Sequence, residues 1–287
     1  MVTIATPASR PTASRPLAPT SPRSARALST LVRRRFALSV RTPRELLVPL
    51  LTPVLFALVI APALADQVTN VGGIDYMSFV AIATVGLLLP LSCMSAGIGV
   101  LVDRESGARR DLIAAPLRRP LIVFGNLTVA LAVSALQLAV LIGAAVLRGA
   151  QFSSGSTGIM WFVAASLGLV VIMYGAAETL ANRIPTQEEY VAALPAVAIV
   201  PWFFAGSLFP VNALPAGLAA FAKVLPLTHV LAVMRYGLVD HRGTGLHDIW
   251  GMSSPTAMAL LSLAVVAAYA VLLTVVAVRV FNRATVQ

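Results

Sequence analysis

Few side chains in this sequence are equipped for chemistry, and their spacing narrows what that chemistry can be. Glu178 closes an otherwise uncharged run, 159–177, and Gln137 sits in the middle of another, 121–147. An acid or amide set among apolar residues over membrane length is a candidate for a proton relay or a substrate pathway. Simpler roles compete. Arg183 lies five positions after Glu178 and offers an ion pair at the interface, while Gln137 can bond a neighbouring helix. His229, His241 and His247 fall in one C-terminal segment with Asp240 and Asp248. Neither His241 nor His247 has a ligand-type partner at helical i, i+4 spacing, so no metal site is expected. No HExxH, GxSxG or workable carboxylate pair occurs, and no catalytic residue is expected. The one lysine, Lys223, follows Ala222 and precedes Val224, so the Gly-x-x-x-x-Gly-Lys-Ser/Thr loop that cradles nucleotide phosphates is missing. The one cysteine, Cys93, lies in an apolar run, has no partner for an intrachain disulfide and reads as a small packing residue.

The densest charge lies in "DRESGARRDLIAAPLRRP", residues 103–120. Eight of these eighteen residues are charged, and an uncharged run of 27 residues flanks the stretch on each side. A helix leaving the first run can continue through "DRESGARRDLIAA" until Pro116 stops it. Leu112 and Ile113 then form an apolar patch beside Arg109, Arg110 and Asp111. Such a stiff amphipathic protrusion suits docking into a groove on a partner. A solvated loop whose arginines only fix topology is the plainer alternative.

The elements that must position these residues follow from composition. Of 287 residues, 58% are hydrophobic and 11% charged, with mean hydropathy +0.88. Soluble domains carry about 25% charged residues, so the bilayer is the solvent this chain suits. Uncharged runs long enough to cross it cover 46–65, 76–102, 121–147 and 159–177. A fifth, Tyr190 to Ala222, is broken by Pro195, Pro201, Pro210 and Pro215 and reads as a span over 190–209 followed by an irregular segment. The sixth lies in 249–278 and starts just after Pro255, a good first-turn residue. With six spans both termini share a side. That side holds 17 of the 21 Arg and Lys residues, which places the termini and the 103–120 loop in the cytoplasm. The same bias accounts for the net charge of +10 without nucleic acid.

Residues 1–27, rich in Pro, Ser, Thr, Ala and Arg, read as a disordered cytoplasmic arm. No apolar core of a secretory signal occurs in the first thirty residues; an organelle transit peptide shares the Arg-rich, acid-poor composition, but topology already explains the arginines. Over 25–41, at 100° per residue, Leu28, Leu31, Val32, Phe36 and Val40 share one face. Arg33, Arg34, Arg41 and Arg44 lie opposite, with Arg35 out of place on the apolar side. This predicts an interfacial amphipathic helix resting on anionic lipid.

Two motifs resemble those of type-2 ABC transporter (ABC-2 type) permeases. Asp103, Arg104, Glu105, Gly107, Leu112, Pro116 and Leu117 occur in the order of that family's first cytoplasmic loop. The stretch "FFAGSLFPVNALPAGLAAFAKVLPLTHVLAVMRYGL", 203–238, resembles the family signature between its last two spans through Gly206, Phe209, Pro210, Leu214, Pro215, Leu225, Pro226, Leu227, Thr228 and Arg235. His229 after Thr228 is similar to the nodulation-type branch, and the general skeleton to daunorubicin-resistance-like exporters. "RIPTQEEY", 183–190, stands where the family often has a short Glu-containing loop, whereas Glu178 departs from the neutral residue expected there.

The resemblance implies an all-α integral membrane protein of the cell (inner or plasma) membrane. It would have six transmembrane helices, an N-terminal interfacial helix, a cytoplasmic coupling helix and short extracellular re-entrant helices, with residues 28–287 forming the permease domain. It implies the membrane subunit of an ATP-driven exporter of an amphiphilic drug, lipid or glycoconjugate, with no cofactor of its own. A separate P-loop ATPase, in two copies, would carry ATP and Mg, and a second permease copy or a sister permease would complete the assembly. Coupling to the ATPase falls on Asp103, Arg104, Glu105, Gly107, Arg109, Arg110, Leu112 and Pro116. The outer gate falls on Phe209, Pro210, Leu214, Pro215, Pro226, Thr228, His229 and Arg235. Pro-broken, uncharged backbone cannot face lipid, which agrees with two half-helices there, with Thr228 capping one and Arg235 snorkelling to the outer interface. Gln137 and Glu178 remain pathway candidates. A membrane-embedded enzyme acting through Glu178 and the outer histidines, or an uncoupled channel or scaffold, are the alternatives.

Overall fold

A computed structural model gives the fold. It describes residues 21–41, 70, 71, 73–114, 119–152 and 155–284, with isolated positions between 47 and 63. Most of the expected first span, 46–65, the first twenty residues of the arm and Pro116 therefore lie outside the described residues. Helix α1 covers Ser21–Arg41, so the end of the segment expected to be a disordered arm is helical. A two-residue antiparallel hairpin, β1 (Asn70–Val71) and β2 (Ile74–Asp75), leads into α2 (Tyr76–Glu105). The Asp75 carboxylate starts α2 by accepting from the Ser78 N–H at 2.9 Å and its Oγ at 3.0 Å.

The helix does not run on to Pro116 as the sequence suggests. Gly107, at φ +80°, turns the chain after Glu105 and sets off a separate helix, α3 (Ala108–Ala114). A left-handed residue ends a helix, and glycine takes that conformation without steric cost. Helix α4 (Pro120–Leu147) opens on proline, whose missing N–H is not needed there. Helix α5 follows over Ser156–Ala181. Thr186 caps α6 (Gln187–Ala198) by accepting from the Glu189 N–H at 3.3 Å, with Glu188 and Glu189 in the first turn.

The expected fifth crossing, 190–209, is two pieces. Helix α6 ends at Ala198, and α7 covers only Val200–Phe204. A 3-10 turn at Val211–Ala213 leads to α8 (Ala216–Val224) and α9 (Pro226–Leu238), which are bent 81° to one another. Short α10 (Thr244–Trp250) precedes α11 (Pro255–Ala284). Among the described residues four helices, α2, α4, α5 and α11, are long and apolar enough to cross a bilayer, or five if the bent pair counts as one span. The described residues are thus all-α apart from one small hairpin, with the build of a multi-pass membrane protein.

Helix α2 is the axis of the bundle. Val80, Ile82, Leu88, Leu89, Met94 and Leu101 are wholly buried, and α4, α5, α6 and α9 surround the helix. Such all-round apolarity marks a helix inside other protein. Helix α5 packs along α2, α9 and α11. Helix α11 turns its other side outward, exposing Leu260, Val271 and Leu272. Helix α1 lies against α4, where Leu31 Cβ would stand 3.2 Å from a Cβ at Gly125. Part of the face expected to rest on lipid is thus applied to protein.

Candidate functional site

The 103–114 segment is fastened at three points. Asp103, 15% exposed, accepts from Arg34 Nη2 at 3.1 Å and lies 3.8 Å from Arg35 Nη1. Arg104 Nη1 donates to the Ala181 carbonyl at 3.0 Å, and its Nη2 donates to Ile184 at 2.9 Å and Pro185 at 2.6 Å. It thereby satisfies carbonyls left open where α5 ends. Arg109 is buried with its guanidinium 4.8 Å from the Phe281 ring centroid at the end of α11. Burial pulls the Arg109 pKa down, and the nearby Glu178 carboxylate pushes it back up.

These contacts turn part of the segment inward. Arg109, expected on an outward docking face, points into the bundle, and Leu112 is half-buried against the core. Glu105, Arg110 and Asp111 are the charged side chains left exposed. Glu105 also borders a surface recess with Thr186, Gln187, Glu188 and Val191.

The anomaly of Arg35 resolves here. It occupies the apolar side of α1 because it enters the bundle, where Nη2 donates to the Ala96 carbonyl at 3.0 Å. Gly99, one turn further along α2, is what admits it, since a Cβ there would overlap the guanidinium. The small residues Ala96 and Gly99 together make the seat for this arginine. The opposite side of α2 receives Tyr190, whose hydroxyl donates to Met94 O at 2.8 Å, and Trp202, whose Nε1 donates to Ala83 O at 2.7 Å.

Glu178 is buried, accepting from Tyr174 Oη at 2.8 Å and Asn182 Nδ2 at 3.1 Å. The expected pair with Arg183 is not formed: Arg183 is exposed, and the partners of Glu178 are neutral side chains on its own helix. Gln137 is buried on α4.

At the other end Arg235 does not snorkel. It is buried, with its guanidinium 3.5 Å from the Phe79 ring centroid; Nη1 donates to Gly206 O at 2.8 Å and Nη2 to Ser207 O at 3.0 Å. The planar fork matches two successive carbonyls freed by the non-helical backbone after α7. Thr228 is not a helix cap either, because α9 starts at Pro226; its hydroxyl donates to Ala222 O at 2.6 Å, across the bend to α8. His229 sits between Ser262 Oγ, 3.2 Å, and Lys223 O, 2.9 Å, beside Trp250. Phe209 and Pro215 are exposed, whereas Pro210, Leu214 and Pro226 are half-buried. A cavity of about 110 Å³ is lined by Pro210 and bordered by Arg235, Asp240 and Asp248. Burial raises the Asp248 pKa. Among the described residues no group of three or more His, Cys, Asp or Glu side chains is placed to hold a metal ion.

The sequence hid which arginines face inward. A lone arginine on an apolar face and a glycine in a buried helix were the available signals, and only their conjunction in space gives them meaning.

Residues 26–239 match the family model described as ABC-2 type transporter. No curated protein matches the chain.

Proposed function

Because the chain belongs to the ABC-2 type transporter family, whose domains are non-catalytic membrane components working with an ATP-binding subunit, we propose that it is the permease subunit of an exporter for an amphiphilic drug, lipid or glycoconjugate. Two ATPase subunits, carrying ATP and Mg, dock beneath a pair of permeases, either two copies of this chain or this chain and a sister. The termini and the 103–120 loop lie in the cytoplasm. ATP draws the ATPases together, and the docked loops follow. The displacement then enters the bundle and opens the end closed by 203–238.

The observation that carries this reading is the triple attachment of the loop. Asp103 ties it to α1, Arg104 to the turn after α5, and Arg109 to the end of α11. Coupling requires a physical element whose position both sites bias, and a segment held at three helices delivers force to all of them. Arg109 and Leu112 act as the inner root of the lever; Glu105, Arg110 and Asp111 are the outer surface that meets the ATPase. Phe209, Pro210, Leu214, Pro215 and Pro226 form the outer closure, held by Arg235, Thr228 and His229.

The test is co-expression with a P-loop ATPase subunit. Changing Glu105, Arg110 and Asp111 together to Ala is expected to cut ATPase retention and nucleotide-dependent efflux of a fluorescent amphiphile at least tenfold, with unchanged permease in the membrane. Retention and efflux equal to those of the unaltered protein would overturn the assignment.

A further inference from the structure

Helices α4 and α5 both pack on α2 but only lightly on one another. Between them lies a groove of about 340 Å³, in the half of the bundle away from the 103–114 loop. Its floor is Leu89 of α2 with Ser134, Phe162 and Val170. Ala135 and Ala139 leave open space that larger residues would fill. Its rims are apolar: Ile159, Val163 and Leu167 are 45–51% exposed on the α5 side, and Leu136 and Val140 stand exposed on α4 beside it. The groove therefore opens sideways into hydrocarbon.

Its shape selects the occupant. Along α4 the lining runs from Leu131 to Ile142, about 17 Å at the α-helical rise. Spread over that length, all the empty space in the groove, about 820 Å³, has a cross-section of about 48 Å², still well below the about 80 Å² of a helix of ~10 Å diameter. A helix of a second copy cannot enter such a slot; one extended alkyl chain can. The volume also falls in the ordinary range of small-molecule pockets, which are mostly apolar with a few polar groups fixing orientation. Ser134 and Ser166 are the polar groups here.

We infer that the α4–α5 groove binds the single alkyl tail of an amphiphile, and is the place where the tail of the exported molecule lies as it reaches the outer leaflet. The site of binding stands on the groove itself; its part in export rests on the function proposed above.

The test separates the two. The intact permease–ATPase complex in nanodiscs is irradiated without ATP in the presence of a dodecyl phosphocholine carrying a diazirine midway along its tail. A diacyl phosphatidylcholine bearing the same diazirine reports the surrounding bilayer. The expected result is saturable labelling of groove residues, displaced by unlabelled dodecyl phosphocholine and reduced about tenfold by Ala139→Trp. Leu260→Trp, on the outward side of α11 and away from the groove, leaves it unchanged. Labelling that does not saturate, that equals the diacyl probe's, or that survives Ala139→Trp overturns the site. Because the readout needs no nucleotide turnover, loss of ATPase coupling in a separate assay bears on the proposed function and not on the groove.

Discussion

The two ends of the bundle solve the same problem with the same residue type and arrive at opposite mechanical properties. At the loop end, Arg104 serves three carbonyls and Arg34 and Arg35 hold Asp103, in partly exposed contacts that join separate helices. At the far end, Arg235 serves two carbonyls from beneath the surface, stacked on Phe79 and within one packed layer. Exposed ion pairs are weak and screened by salt, whereas buried charges are costly to leave unpaired. Under the function proposed above, one end exchanges partners and the other stays closed until displaced as a unit.

The comparison breaks most visibly at Arg235. Arg235→Ala frees the Gly206 and Ser207 carbonyls in a buried setting and is expected to cost about 3 kcal/mol or more, read as a fall in melting temperature of the detergent-solubilised protein. Arg235→Lys should recover only part of this, because an ammonium cannot span both carbonyls in the plane of a fork. Next in size is Gly99→Val, which drives a side chain into the place of the Arg35 guanidinium. An overpacked site costs about 1–3 kcal/mol, and here the yielding part is α1, so limited proteolysis should cut 21–41 faster while α2 stays protected.

Asp103→Asn should be milder. It loosens Arg34 and Arg35 by about 1 kcal/mol at low salt and less at high salt, with thermal stability barely altered and nucleotide-dependent efflux reduced. A stability loss matching that of Arg235→Ala would erase the distinction between the ends. The smallest effect belongs to Arg183→Ala, within about 0.5 kcal/mol of neutral, since the exposed side chain does not pair with Glu178. A larger loss would restore the ion pair read from sequence spacing.

Apolar length made α2, α4, α5 and α11 legible: the expected runs 76–102, 121–147, 159–177 and the start at Pro255 fall within a few residues of the helices. Proline spacing marked the broken segment, and its bend at Leu225–Pro226 follows from it. What spacing could not give is the aim of a long side chain. Arg109 and Arg110 are adjacent in a charged stretch, yet one is buried against Phe281 and the other exposed, because a seven-residue helix behind a Gly107 turn has one face on the bundle. Charge counts treat both alike. Thr228 failed as a cap for a similar reason, since Pro226 already opens the helix and frees the hydroxyl to reach back to Ala222.

The notch at Gly99 bears on how the protein is made. The ribosome produces α1 before α2 and α4, but the seat for Arg35 lies on α2, and the surface under Leu31 belongs to α4. Helix α1 must therefore wait at the membrane until residue 147 has been threaded in, and only then close over α2 and α4. A helix made ahead of both its seats is thus fastened only after them, while α5 to α11 are still to come.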